Sequence, residues 1–139
     1  MDRFAPITST AATLTLDKEV HGGTIVNQSL AATWTITVPA AVGDGTVFEV
    51  YVGTTLTANG IITCSANSGV LFGGVALMSD VGGVTCPTTA TDNTITMNGG
   101  TTGGVKGSRI VLKDVASNQW HVSGALLCTS TEATPFSAV

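Results

Sequence analysis

Apolar and polar side chains alternate with a period of two along most of the chain. Residues 32–38 place Trp34, Ile36 and Val38 on one side and threonines on the other, which is the pattern of a half-buried strand. Residues 46–52 carry large side chains on both sides, so we expect that strand to be covered on both faces. The two runs predict two well-formed strands.

The connection between these runs favours a tight turn. Pro39 ends the first run, because proline cannot donate to a ladder, and Asp44-Gly45 tolerates the positive φ angles of short hairpin turns. Phe48 and Val50 begin the core-facing side of the second run. The spacing therefore predicts an antiparallel hairpin.

Six further runs have the length and composition of strands, and Gly, Asn, Asp and Ser separate nearly all of them. These runs are residues 12–16, 24–27, 60–66, 93–98, 108–115 and 119–127. No apolar stripe of period 3.6 persists beyond one turn, so we predict no helix. The pattern predicts an all-β fold, an antiparallel β-sandwich of jelly-roll type, with a small β-barrel as the alternative. The predicted core includes Trp34, Ile36, Phe48, Val50, Trp120 and Val122.

The length of 139 residues suits one hydrophobic core. We predict a single domain over residues 12–139, preceded by an N-terminal arm over residues 1–11. The arm lacks regular alternation, so it either extends onto a neighbouring molecule or frays. Residues 69–107 hold most of the glycine, which allows sharp bends or close backbone approach.

Charge is scarce along the sequence. Asp, Glu, Lys and Arg make up 10% of the residues, against roughly 25% in an average soluble protein, and the mean hydropathy is +0.41. The longest apolar runs fall well short of the ~20 residues that span a bilayer, and the first residues do not resemble a secretory signal. A surface with so few charges is typical of a subunit that partners cover.

Several binding chemistries are disfavoured. The net charge is −4 and the five Lys and Arg residues are scattered, so a phosphate-binding patch is not expected. His21 and His121 have no neighbours at ligand spacing, and we predict neither a metal nor a cofactor. The cysteines, Cys64, Cys86 and Cys128, are expected to be reduced and buried, with one disulfide as the alternative.

Catalytic motifs are not found in the sequence either. The glycines near residue 104 resemble a phosphate loop, but Val105 separates Gly104 from Lys106, whereas that loop requires lysine directly after its last glycine. No GxSxG motif occurs. We therefore predict a protein that is not an enzyme.

Two segments resemble a known group of phage proteins. Residues 35–52, TITVPAAVGDGTVFEVYV, resemble a segment of the head decoration and head-fibre proteins of tailed bacteriophages. Residues 107–136, GSRIVLKDVASNQWHVSGALLCTSTEATPF, resemble the closing segment of the same proteins. Related β-modules also occur in phage tail fibres. The matching residues form turns and strand cores, and Gly124 is expected to leave room for a bulky neighbour.

The resemblance implies a capsid decoration or cement protein. Such a protein assembles as a homotrimer, binds the major capsid protein on the outer surface of the head and stabilises the shell, after assembly in the host cytoplasm. We expect Arg3, Phe4 and Ile7 to contact the capsid, and Phe136 to contact a second subunit or the capsid. The alternative is a phage fibre or a receptor- or carbohydrate-binding β-module. Neither nucleic acid nor a membrane is expected as a partner.

Overall fold

Two β-sheets contain nearly all the regular structure. The computed structural model describes residues 5–64 and 69–139, and within these ranges it has twelve strands and one four-residue helix. The elements are β1 (Ile7–Ser9), β2 (Thr13–Thr15), α1 (Lys18–His21), β3 (Ile25–Gln28), β4 (Trp34–Val38), β5 (Val47–Val52), β6 (Gly60–Cys64), β7 (Val70–Ser79), β8 (Gly82–Pro87), β9 (Thr94–Met97), β10 (Arg109–Ala116), β11 (Gln119–Leu127) and β12 (Phe136–Ser137). Buried side chains from both sheets form one core. The predicted all-β sandwich is confirmed.

The chain alternates between the two sheets over its first six strands. The larger sheet has the order β1-β3-β5-β10-β11-β7-β8, and the smaller has the order β12-β9-β6-β4-β2. Strands β1, β3 and β5 pair in parallel, as do β2, β4 and β6. Between two successive strands of one sheet, the chain forms one strand of the other sheet. The later strand therefore runs in the same direction as the earlier strand of its own sheet. The sheets are therefore mixed. The antiparallel pairing that we predicted is found for β10 with β5 and β11, for β9 with β6 and β12, and for β7 with β8.

The predicted hairpin between β4 and β5 is wrong. β4 lies in the smaller sheet and β5 lies in the larger one. The turn chemistry is present, because the Asp44 carboxylate accepts the backbone N–H and the hydroxyl of Thr46, and Gly43 and Gly45 have positive φ angles. These residues bend a connection that crosses between the sheets. Local turn signals do not distinguish such a crossing from a hairpin.

The glycine-rich stretch 69–107 is more regular than its composition suggests. It contains the ten-residue strand β7 together with β8 and β9. Gly73 interrupts the apolar alternation, but its backbone lies directly against β11, where a Cβ would meet the carbonyl oxygen of Val122. This stretch supplies one whole side of the larger sheet, which the alternation pattern missed.

The single turn of α1 departs from our prediction of no helix. The Asp17 carboxylate caps it by accepting the N–H groups of Glu19 at 2.8 Å and Val20 at 3.2 Å. His21 is 8% exposed, and its Nδ1 accepts the N–H of Asp17 at 2.9 Å. Four residues are too few for a stripe of period 3.6 to show in sequence. In the described part of the chain, the structure has no helix with the length and hydrophobicity to span a membrane.

All six side chains predicted for the core are buried. They are Trp34, Ile36, Phe48, Val50, Trp120 and Val122. The ring centroids of Phe48 and Trp120 lie 5.5 Å apart, within the range of favourable aromatic pairs. Trp34 packs over Gly60, where a Cβ would lie 2.5 Å from the indole ring. The two tryptophans therefore fill the space between the sheets.

Two of the four residues predicted to make external contacts, Ile7 and Phe136, lie in strands of the sandwich. Ile7 lies in the edge strand β1, half-buried and opposite Val26 of β3, so residues 7–9 of the predicted arm form part of the sandwich. Arg3 and Phe4 lie outside the described residues. Phe136 lies opposite Ile95 in the smaller sheet and is 7% exposed, so its side chain belongs to the protein's own core.

Candidate interaction surface

Three neighbouring strands on one side of the larger sheet carry no charged side chain. β11, β7 and β8 contain no Asp, Glu, Lys or Arg. The adjacent strands β5 and β10 carry Glu49, Arg109 and Lys113, and Arg109 Nη1 lies 3.3 Å from Glu49 Oε1. We call the β11-β7-β8 side of the sheet the uncharged margin. β1 and β3 on the opposite side carry no charged side chain either, so the charges of this sheet lie in its middle.

Large apolar side chains of this margin point away from the core. In β7, Leu71, Val75 and Leu77 are buried, and successive side chains of a strand point to opposite faces. Phe72 and Met78 therefore face outward, and they are 39% and 41% exposed. Both lie on the outer side of the sandwich.

Cross-strand neighbours extend this surface onto β11. Ala76 lies opposite Ala125, and Met78 lies opposite Leu127. We call this set the apolar face: Phe72, Ala76, Met78, Ala125 and Leu127. Phe72 and Met78 are exposed, the other three are half-buried, and Phe72 lies opposite His121 of β11. Apolar side chains left on a surface in this way are typical of sites that bind another surface.

β8 forms the outermost strand of this margin. Five of its six residues are exposed and Cys86 is half-buried. Val84 points to the inner side of the sheet with its β7 partner Leu77, yet it is 45% exposed. Within the described residues, the smaller sheet therefore does not cover β8 from below.

A buried carboxylate holds the connection between β4 and β5. The Asp114 side chain is 0% exposed, and it accepts the backbone N–H groups of Val42 at 2.9 Å and Gly43 at 2.6 Å. Lys18 Nζ lies 2.6 Å from this carboxylate and 2.8 Å from that of Asp44. The cluster ties α1, the connection and β10 together, so its role is structural.

Residues 35–52 and residues 107–136 contact each other beside this cluster. Trp120 Nε1 donates to the carbonyl oxygen of Pro39 at 3.2 Å, and the N–H of Asn118 donates to that of Ala41 at 3.0 Å. Asn118 has a φ of 59°, a left-handed conformation that asparagine tolerates. These residues thus build one unit, in which the β4–β5 connection packs against the β10–β11 turn.

The ion pairs change the pKa values of two groups. Hydrogen bonds from Lys18 and then Thr46 lower the pKa of Asp44, because they stabilise its charged form. Burial lowers the pKa of Lys18, but the hydrogen bonds and charges of Asp114 and Asp44 outweigh burial and raise this pKa above its ordinary value of 10.5. Both shifts favour the charged cluster near neutral pH.

We expect these pairs to weaken at both ends of the pH scale. The contribution of Lys18 to the free energy of unfolding is complete below pH 10.5 and is lost as the pH rises through the raised pKa of Lys18. The contribution of Asp44 to the free energy of unfolding is complete above pH 3.8, the ordinary pKa of this carboxyl, and is lost as the pH falls through its lowered pKa. Urea unfolding near neutral pH and at about pH 11 should show a smaller alkaline loss in Lys18→Met than in the native protein. Equal losses would contradict the assignment.

The two histidines lie on different elements and have different surroundings. His21 is engaged at the end of α1, whereas His121 is exposed on β11. Among residues 5–64 and 69–139, no three or more His, Cys, Asp and Glu side chains form a group that could hold a metal ion. The uncharged margin offers apolar area and the free backbone groups of its edge strand.

The three cysteines are free thiols in different environments. Burial raises the pKa of Cys64 to about 12 and also raises the pKa of Cys128. Cys86 is half-buried in the edge strand β8. We predict that maleimide labels Cys86 first in the folded protein, because the reagent needs an accessible thiolate. Mass spectrometry should show one fast site, which Cys86→Ser removes, whereas equally fast labelling of Cys64 would contradict this prediction.

The sequence patterns missed the residues of the apolar face. Gly73 and Gly74 lie between Phe72 and the apolar residues 75–78, and they interrupt the alternation that identifies a strand. One available signal was the distribution of charge, because no Asp, Glu, Lys or Arg occurs in residues 50–79. That run includes β7, one of the three strands of the uncharged margin.

Comparisons with protein-family models, with curated proteins and with solved structures find no match to this chain.

Proposed function

We propose that the chain is a structural subunit of a bacteriophage virion, a decoration or cement protein that binds the outside of the head as a homo-oligomer. It stabilises the shell and catalyses no reaction. The observation that carries the proposal is the apolar face, with Phe72 and Met78 exposed on an uncharged margin. The resemblance of residues 35–52 and 107–136 to head decoration proteins supplies the partner, which is the major capsid protein, and a trimeric assembly.

The chemistry of the apolar face suits a docking role. Since β7, β8 and β11 carry no charge, covering them removes no ion from water, which is the costly part of burying a polar surface. Burial of apolar surface contributes roughly 25 cal/mol per Å². Many copies on one shell add these contributions without any catalytic group.

The polar clusters of the molecule also support a structural role. Asp114 and Lys18 bind each other and the β4–β5 connection, and His21 closes the helical turn. The residues matched by the resemblance hold the two sheets together. These side chains are engaged in the fold rather than presented to a substrate.

The exposure of aromatic side chains favours shell docking over the carbohydrate-binding alternative. Sugar-binding modules stack sugar rings on exposed aromatic platforms. Trp34, Trp120 and Phe48 are buried between the sheets, where a sugar cannot reach them. Among the described residues, Phe72 is the one exposed aromatic side chain, and a single ring on a surface of small aliphatic side chains is a poor platform for stacking sugars.

Co-sedimentation with phage heads that lack the protein tests the proposal. Met78→Asp places a charge within the apolar face, and we expect it to weaken head binding about tenfold or more, since burying a side chain of this size contributes ~1.5–3 kcal/mol. Val115→Asp is the matched control, because Val115 on β10 is apolar and 49% exposed but lies outside the apolar face.

The native protein and Val115→Asp should pellet with the heads, and Met78→Asp should remain in the supernatant. Equal binding by both variants would contradict the use of the apolar face. A native protein that never pellets with heads would contradict the proposed function itself.

A further inference from the structure

One of the four sheet edges in the described part of the chain is unprotected. The edge strands β1, β2 and β12 have three, three and two residues, and short edges resist pairing with another strand. β8 has six residues, five of them exposed and none charged. It is the edge with the capacity to add a strand.

The register of β7 with β8 identifies the free backbone groups. The N–H of Thr88 donates to the carbonyl oxygen of Gly73 at 3.0 Å, and the residues that bond across an antiparallel ladder alternate along each strand. Gly83, Thr85 and Pro87 therefore direct their backbone groups away from β7. Proline fits at such a position, because its missing N–H leaves no ladder bond unmade.

We propose that a second copy of this chain occupies the edge, with β8 paired antiparallel to β8 about a two-fold axis at Val84. In this register the N–H and C=O groups of Gly83 bond those of Thr85 in the second copy, and the reverse holds for Thr85. The four hydrogen bonds leave no outward group of these two residues unpaired. A register with Gly83 opposite Pro87 leaves the Gly83 carbonyl without a donor.

The side chains of β8 complement a second copy on both sides of the sheet. On the inner side, Val84 lies opposite its counterpart at a non-hydrogen-bonded position, where side chains approach most closely. The pairing covers its 45% exposed side chain. On the outer side, Thr85 lies opposite Gly83, which has no side chain to clash. Two uncharged edges also meet without repulsion.

The pairing extends the larger sheet across two molecules. It places their apolar faces on one continuous surface, so a pair offers twice the apolar area to a partner. A three-fold assembly is compatible with it, because β8 pairing then joins two trimers. The pairing itself does not depend on the proposed function.

A cysteine cross-link tests the register. In a Cys86→Ser background, Val84→Cys places a thiol opposite its counterpart, so mild oxidation should yield a disulfide-linked dimer that reduction separates. Thr85→Cys in the same background is the control, because that side chain lies opposite Gly83 on the outer side. A Val84→Cys protein that stays unlinked, or a Thr85→Cys protein that links equally well, overturns the proposal.

A proline substitution tests the hydrogen bonds. The N–H of Thr85 points away from β7, so Thr85→Pro removes no ladder bond within the chain, and its melting temperature should stay near that of the native protein. Val84→Pro removes an N–H that points to β7 and should destabilise the fold. Sedimentation equilibrium should give an even number of copies for the native protein and half that number for Thr85→Pro. A native monomer or trimer, or an unchanged mass in Thr85→Pro, overturns the pairing.

Head binding separates this inference from the proposed function. A native protein that pairs through β8 but never pellets with heads leaves the pairing in place and removes the proposed function. A native monomer that pellets with heads, and loses this binding in Thr85→Pro, shows that β8 accepts a strand of the shell. That result overturns pairing with a second copy and leaves the proposed function in place.

Discussion

Replacing Asp114 with alanine is expected to lower the free energy of unfolding by about 3–5 kcal/mol, the range for breaking a buried ion pair. The carboxylate is fully buried and accepts two backbone N–H groups and the Lys18 ammonium. Alanine removes the acceptor of the part-buried hydrogen bonds from the N–H groups of Val42 and Gly43 and of the Lys18 ammonium, and hydrogen bonds to a charged group are among the costlier ones to lose. The β4–β5 connection then loses its attachment to β10.

Urea unfolding of two control variants isolates this effect. Asp114→Asn keeps one acceptor oxygen and should lose less stability than Asp114→Ala. Asp80→Ala changes an exposed carboxylate in the β7–β8 turn and should stay within about 0.5 kcal/mol of the native protein. A loss in Asp114→Ala no larger than that in Asp80→Ala would show that the cluster does not hold the connection.

Gly124→Ala is expected to cost about 3 kcal/mol or more, because it combines backbone strain with a steric clash. Gly124 has a φ of 151°, and a Cβ there would lie 2.1 Å from the carbonyl oxygen of Arg109. We expected a bulky side chain beside this glycine. The neighbour is instead the backbone of the adjacent strand, which cannot rotate away.

Gly82→Ala is the matched control for this glycine. Gly82 lies in β8, its φ is not positive, and a Cβ there meets nothing within 4 Å. Thermal unfolding should show a large drop in melting temperature for Gly124→Ala and little change for Gly82→Ala. Similar melting temperatures for the two variants would contradict the close approach of β10 and β11.

The strands that could be predicted from the sequence are those whose pattern is local. Trp34, Ile36 and Val38 alternate with threonines because one side of β4 faces the core, and this requirement holds whichever strand lies next to it. The choice of neighbour is not local. Asp44 and Gly45 specify a bend, whereas the crossing to the other sheet depends on contacts with residues far along the chain, such as Asp114.

The position of the candidate interaction surface could not be predicted from the sequence. Low charge indicated a covered subunit, but the pattern assigned the contacts to Arg3, Phe4, Ile7 and Phe136. Phe136 is needed inside the core, because it fills the end of the smaller sheet opposite Ile95. Which apolar side chains stay outside depends on how far each sheet extends, a property of the assembled sandwich.

A density map of virions that contain the chain tests the central claim most directly. The account predicts a two-sheet sandwich on the outer surface of the head, with the apolar face of β7 and β11 covered by the shell or by a neighbouring copy. Density at the tail, or a head-bound sandwich whose apolar face points into solvent, would contradict it.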